Sequence, residues 1–204
     1  MAVYDNYSNP WGLVGRYLIS KMNRGHTPMA EWGFTQFSVP QSGKIVDIGC
    51  GGGFNIRRIL ERSREGFVYG VDISPLSVKE SRKANRKEIG KRCEILQGSA
   101  ENLPFEDASL DLVTAFETVY YWKPIDGCFR EVRRVLKEGG TFAVINDLGN
   151  PEDHWEEKIK DLVPYRAEEI RDIMKEAGFG DIRVITSGRR YCVVGKAGQQ
   201  SDAL

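Results

Sequence analysis

The run Lys44-Ile45-Val46-Asp47-Ile48-Gly49-Cys50-Gly51-Gly52-Gly53 joins an acid near the end of a β-branched stretch to a cluster of glycines. Glycine tolerates positive φ and leaves bare backbone that a ligand can approach. In Phe54-Asn55-Ile56-Arg57-Arg58-Ile59-Leu60, the spacing of Ile56, Ile59 and Leu60 marks one face of a helix. The run therefore reads as strand, glycine turn and helix, and the helix N-terminus offers N–H groups to a ligand. A turn of this kind at the carboxyl end of a strand is where open α/β sheets bind nucleoside-like ligands.

A second acid stands at a telling distance. Phe67-Val68-Tyr69-Gly70-Val71-Asp72 reads as another strand ending in a carboxylate that can accept bonds from both hydroxyls of a ribose. A dinucleotide fingerprint is absent, because the third glycine of G-x-G-x-x-G would fall on Phe54. No Gly-Lys-Ser/Thr follows the glycines, so there is no Walker loop. A third segment, Gly98-Ser99-Ala100-Glu101-Asn102-Leu103-Pro104-Phe105, follows a third strand.

The acid and alternate glycines Asp47-x-Gly49-x-Gly51-x-Gly53 resemble motif I of the class I S-adenosylmethionine-dependent methyltransferases. The third segment is similar to the Gly-Asp-Ala-x-x-Leu-Pro-Phe stretch of the small-molecule members, type 11 domains among them, with Ser99 where the family has Asp. The resemblance covers about residues 40–196 and implies S-adenosyl-L-methionine as cofactor. It also implies cofactor contacts at Asp47, Gly49, Cys50, Gly51, Gly53, Asp72, Ile73, Ser99, Ala100 and the Phe116 carbonyl. The cofactor's sulfonium and ammonium suit acidic surroundings that a phosphate would not.

Strand four, Leu110 to Ala115, runs into Phe116-Glu117-Thr118-Val119-Tyr120-Tyr121-Trp122, which is expected to wall the acceptor side of the cleft. Methyl transfer is an in-line displacement that needs alignment and exclusion of water; positioning alone can supply on the order of 7–11 kcal/mol of barrier reduction. Aromatic walls add cation–π attraction of about 0.5–2 kcal/mol each. Glu117, Tyr120 and Tyr121 are the candidates for acceptor contact or proton removal, and His26 is a further candidate base. The Asn/Asp-Pro-Pro-aromatic motif of DNA and protein-amide methyltransferases is missing here, so the resemblance points to small metabolites. Asn146 to Pro151 could also border the acceptor pocket, while His154 reads as a surface group. Tyr17-x-x-x-Lys21 has the spacing of short-chain dehydrogenases, but it precedes the glycine loop and is set aside.

The elements that must position these groups alternate strand and helix, which predicts an α/β fold. Expected strands are 44–48, 67–71, 92–97, 110–115, 140–146, 181–187 and 190–196; expected helices are 54–63, 75–89, 126–137 and 167–177. This is a Rossmann-like, doubly wound seven-stranded sheet, mostly parallel with helices on both faces, and by resemblance the last two strands form a C-terminal antiparallel hairpin. Ser74-Pro75 reads as the N-cap and first residue of the second of those helices. Residues 1–40 read as a helical lid segment, 41–197 as the methyltransferase domain and 198–204 as a tail. In the lid, Trp11, Leu18 and Met22 share a helical face, Thr27-Pro28 opens a second helix, and Asn23, Arg24 and His26 could face the pocket between them.

Composition narrows the partners. The 204 residues hold 29 basic and 29 acidic side chains, so no global field attracts nucleic acid or an anionic membrane. No early run is apolar enough for a signal peptide or a span, and four scattered cysteines read as free thiols of a cytoplasmic protein. Two distant histidines with no cysteine companions give no metal site. A small-molecule acceptor is the expected partner, and a homodimer is compatible with the sequence. Transfer of a methyl group to O, N or S of a small metabolite is the leading expectation, and a non-catalytic adenosylmethionine or adenosylhomocysteine binder is the alternative. A nicotinamide oxidoreductase is disfavoured by Phe54.

Overall fold

A computed structural model describes residues 9–147, 154–159 and 161–198. Two N-terminal helices, α1 (Gly12–Gly25) and α2 (Thr27–Gly33), precede β1 (Lys44–Ile48), α3 (Phe54–Arg62), β2 (Phe67–Asp72), α4 (Pro75–Ala84) and β3 (Cys93–Gln97). Then follow β4 (Leu110–Phe116), α5 (Ile125–Val135), β5 (Leu136–Asn146), α6 (Ala167–Glu176), β6 (Phe179–Ser187) and β7 (Arg190–Ala197). The seven strands lie in the order β3-β2-β1-β4-β5-β7-β6. The first five are parallel, and β7 runs antiparallel to both β5 and β6. The expected doubly wound sheet with its closing hairpin is what forms.

Helices cover both faces. Phe129 and Val132 of α5 and Ile170 and Met174 of α6 bury against Phe142 and Phe179 on one face, with the Phe129 and Phe142 rings 5.1 Å apart. Ile56 and Ile59 of α3, Val78 of α4 and Met29 and Ala30 of α2 bury on the other, over Ile45, Val68 and Leu112. Each such aromatic or branched side chain contributes about 1.5–3 kcal/mol by leaving water. Because β1 and β4 are neighbours and the helices after them lie on opposite faces, the chain reverses direction at the carboxyl ends of these two strands. That switch point opens a crevice.

Several element ends depart from the sequence reading. The α4 helix stops at Ala84 instead of 89, because the Asn85 amide turns inward and donates to the Gly53 and Ser81 carbonyls, both at 3.0 Å. Leu136 belongs to β5 and not to α5. Ser74 does cap α4, its hydroxyl accepting from the Ser77 amide at 3.3 Å, with Pro75 following. In contrast, Thr27 is the first residue of α2 and not its cap; its hydroxyl accepts from Arg58 instead. Trp11 does not share the buried face with Leu18: it is 57% exposed, and Gly15, Leu18 and Ile19 form the inner side of α1. Residues 199–204 of the expected tail and 148–153 after β5 lie outside the described residues. Among the described residues no helix is long and apolar enough to cross a membrane.

The α2 helix is fastened to the body of the domain. Glu31 bridges Arg58 at 2.6 Å and Arg62 at 2.9 Å, both on α3, and the Arg62 guanidinium lies 4.5 Å from the Phe34 ring centre. Gly33 lets α2 approach β5 closely; a Cβ there would stand 2.9 Å from Ile145 Cγ2 and 3.2 Å from Phe116 Cε1. Overpacking of this kind costs about 1–3 kcal/mol. Gly33→Ala is therefore expected to lower the unfolding free energy measured in urea by that amount, and to shift the Phe116 ring resonances by NMR while leaving those of Phe179, on the far face, in place.

Candidate functional site

The crevice is a cavity of about 410 Å³, walled by the segments that leave the carboxyl ends of β1, β2, β3 and β4. That volume falls in the range of about 300–1,000 Å³ usual for small-molecule sites. Gly49, Cys50, Gly51 and Gly52 form one wall, with Asp72 and Ile73 beside them, Ser99 and Ala100 beyond, and Phe116, Glu117, Tyr120, Tyr121 and Trp122 opposite. Ile19, Met22, His26 and Thr27 close it from the N-terminal helices.

The glycine loop takes the shape its sequence demands. Gly49, Gly51 and Gly53 all have positive φ, at 74°, 51° and 77°. Their reasons differ. A Cβ on Gly49 would collide with the Thr118 side chain, so that glycine seats the loop against the end of β4. A Cβ on Gly51 would meet no protein atom within 4 Å; Gly51 presents bare backbone to the open cleft. Gly53 packs against Ser81 and Asn85 of α4 and is not among the residues that wall the cavity. No side chain caps α3 at Gly53, and Phe54 and Asn55 of its first turn line the cleft. Uncapped N–H groups with the positive end of the helix dipole favour an anion there.

Asp72 and Asp47 divide into two environments. The Asp72 carboxylate lines the cleft and accepts from the Gly51 amide at 2.8 Å and the Ser74 amide at 2.9 Å. Burial pushes its pKa up, and these two amides pull against that. Asp47, expected as a direct cofactor contact, is only 1% exposed and lies outside the cavity wall. Its carboxylate accepts from the Thr114 hydroxyl at 2.7 Å across the β1–β4 pairing, where the two residues share a register position.

On the opposite wall, Glu117 has φ +54° and is 8% exposed. It accepts from the Tyr120 hydroxyl at 3.1 Å and from the Asp147 amide. Burial, and next the Glu117 charge, push the Tyr120 phenol far above its ordinary range, so Tyr120 serves as a donor and not as a phenolate base. Its ring meets Tyr121 edge-on at 4.7 Å. Burial lowers the His26 pKa, opposed in part by Asp147, which keeps the imidazole neutral at pH 7 with a nitrogen able to take a proton. Arg24 faces solvent, and His154 is exposed beside Glu156 and Glu157.

The structure adds residues that the sequence reading missed. Arg58 lines the cleft although it lies on a helix whose regular spacing marks only the apolar face. Ile159 reaches the cleft from beyond β5 and packs with Tyr120. Neither carries a local sequence signal. Both are brought in by packing.

The sequence matches a family described as a methyltransferase domain over residues 46–144, the span from β1 through β5. Over that span the chain is similar to the class I S-adenosylmethionine-dependent methyltransferases. It is 32% identical over 195 residues to a 24-methylenesterol C-methyltransferase 2 of Oryza sativa subsp. japonica, covering 87% of this chain and 53% of that protein. It is 35% identical to the ubiquinone/menaquinone biosynthesis C-methyltransferase UbiE of Bartonella tribocorum, over 61% of this chain and 48% of the relative. The chain thus spans about half the length of these relatives. A chain of the complex between the Haloferax volcanii Trm112 methyltransferase activator and a methyltransferase shares the fold, with TM-score 0.79 and 24% identity over 90% of this chain and 95% of that one.

Two consequences can be measured. Burial raises the Asp47 pKa from 3.8 to about 7, with the Thr114 bond opposing and the Asp72 charge assisting. Between those values the unfolded chain has released the proton while the folded one keeps it. Stability then falls as pH rises across the window, by about 1.4 kcal/mol per pH unit for one proton, and levels off above it. Asp47→Asn should remove that slope in urea titrations at pH 4.5, 5.5 and 6.5. Gly51→Val places a branched side chain at positive φ in the open cleft, with strain of about 1–2 kcal/mol; calorimetry should show loss of adenosylhomocysteine binding by a variant that still melts cooperatively.

Proposed function

We propose that this chain transfers a methyl group from S-adenosylmethionine to a small-molecule acceptor. The observation that carries the reading is the pairing, in one cavity, of a bare-backbone glycine loop with Asp72 on one wall and a buried carboxylate among aromatic rings on the other. The residues fit the cofactor. Asp72 can accept from the ribose hydroxyls, as buried carboxylates do at this position of α/β sheets. Gly49, Cys50 and Gly51 offer close backbone approach, the α3 N-terminus suits the methionine carboxylate, Ile73 can pack on the adenine, and Ser99 and Ala100 can contact its edge. Asp47 acts from behind the loop through its bond with Thr114, while Gly53 acts by packing.

When bound, the cofactor supplies an electrophilic methyl on a cationic sulfur. The chain's own work is positional. Phe116, Tyr120, Tyr121 and Trp122 exclude water and hold the acceptor in line, while Ile19 and Met22 of α1 close the cleft as the lid. His26, held neutral, can take a proton. Oxygen, nitrogen and sulfur acceptors all suit this arrangement, and the names of two relatives add carbon to the family's range.

The test is incubation with labelled S-adenosylmethionine and a metabolite extract, with adenosylhomocysteine affinity measured alongside. Labelled product is expected; binding without product would make the chain a cofactor-binding protein instead. Asp72→Ala should weaken S-adenosylmethionine and adenosylhomocysteine alike, by roughly 10–100-fold, since hydrogen bonds to a charged group contribute about 1.5–3 kcal/mol and both ligands keep the ribose. Unchanged affinity for either would remove Asp72 from the site.

A further inference from the structure

We propose that the outer face of α1 docks on an anionic lipid surface, with Trp11, Leu13, Val14 and Tyr17 entering the interface and Lys21 and Arg24 meeting the headgroups. Docking of this kind does not depend on which reaction the cleft performs.

The first support is where large apolar side chains stand in water. Leu13 is 84% exposed, Tyr17 63%, Trp11 57% and Val14 50%. All four fall at or just before the start of α1, whereas Ile73 and Val163, also exposed, stand apart from them in the chain. Single exposed apolar residues are ordinary, but a contiguous group marks an interaction surface. Helical spacing keeps this group outside. Gly15, Leu18 and Ile19 take the buried side of α1, and Leu13 and Tyr17, four residues apart, share the opposite one.

The second support is charge. Over its whole length α1 carries Arg16, Lys21 and Arg24 and no acid. Arg16 turns to the protein and pairs with Glu80 of α4 at 2.9 Å. Lys21 and Arg24 follow Tyr17 by four and seven residues, on the side it occupies, and both are exposed. Lys83, three residues past Glu80 on α4, is exposed as well. The surface thus passes from apolar at the start of α1 to basic at its end. The balance of 29 basic and 29 acidic side chains is a sum over the chain and hides this local excess. A helix with aromatic and aliphatic anchors bordered by cations is the kind that lies in a lipid interface. Trp11 and Tyr17 each join an apolar body to a polar edge, which suits the boundary between headgroups and acyl chains.

The third support is shape. The outer side of a helix is a convex ridge, and lipid receives such a ridge without needing a matching groove. A second copy paired through the same face would bring up Lys21 and Arg24 with no acid of α1 to meet them. On its inner side α1 lines the cleft through Ile19 and Met22, and the Ser74 hydroxyl ties its start to the domain by donating to the Pro10 carbonyl at 2.7 Å. A docked α1 therefore sets the cleft one helix diameter, about 10–12 Å, from the lipid.

The experiment uses the full chain with vesicles of phosphatidylglycerol and phosphatidylcholine in equal parts, against vesicles of phosphatidylcholine alone. Co-sedimentation should show at least tenfold tighter binding to the mixed vesicles, weakened by added salt. Tryptophan emission should shift to the blue on those vesicles, and Trp11→Phe should abolish the shift. Leu13→Glu, at a position in open water, should lower vesicle affinity at least tenfold while leaving the melting temperature and adenosylhomocysteine affinity unchanged. Lys21→Gln and Arg24→Gln should each lower it about fivefold, as expected for one cation near an anionic surface. No binding to the mixed vesicles, equal binding to both kinds, or retained affinity in Leu13→Glu would overturn the proposal. So would a dimer in sedimentation velocity that Leu13→Glu converts to monomer, since the face would then belong to a second copy. Failure to bind adenosylhomocysteine would count against the methyl-transfer reading and leave the lipid result standing.

Discussion

Three backbone amides hold the glycine loop to the end of β2, and the cleft depends on them. The Gly49 and Cys50 amides donate to the Val71 carbonyl at 2.7 and 3.1 Å, and the Gly51 amide donates to Asp72 at 2.8 Å. The Cys50 amide would otherwise be a buried donor that costs about 1–3 kcal/mol if left unmade. The clamp turns the loop away from β1 and lays Gly51 open to the cavity. It also places the Asp72 carboxylate beside the bare backbone of Gly51 on one wall of the cavity. Gly49 completes the join, since only a residue without a Cβ lets Thr118, just after β4, come up against the loop.

Around this clamp, three acids on one sheet edge are tuned apart by their surroundings. Asp47 sits in the dry interior with a single hydroxyl partner, and burial favours its protonated form. Asp72 is also buried, yet two amides stabilise its charge. Glu117 is set in an aromatic wall and fixed by an amide and a phenol. The result is a cleft bordered by carboxylates held in different surroundings. Its two cations, Arg58 and Lys123, are engaged by Glu31 and Asp161.

The N-terminal helices play unequal parts. Ion pairs to α3 and close packing on Ile145 and Phe116 hold α2 as part of the domain's second core. The α1 helix touches α4 through Arg16 and Glu80 at 2.9 Å, and the Ser74 hydroxyl donates to the Pro10 carbonyl at 2.7 Å. Its inner side chains border the cleft, while Leu13, Val14 and Tyr17 stay exposed. Movement of α1 relative to α2 would therefore change access to the cavity without breaking the core.

The strand–helix alternation, the seven strands and the position of the cleft were legible in the residues themselves. Periodicity follows from backbone geometry, and positive φ at Gly49 and Gly51 follows from glycine's missing Cβ. Asp72, Ser99 and the aromatic run at 116–122 fell on the cavity for the same reason: in a parallel sheet every strand's carboxyl end comes to one edge. What local spacing does not encode is how closely one element approaches another. Only the packed structure turned Asp47 to Thr114, pressed Gly53 against α4, carried Arg58 and Ile159 into the cleft and left Trp11 outside it. Those outcomes depend on contacts between residues far apart in the chain, which no window of sequence contains.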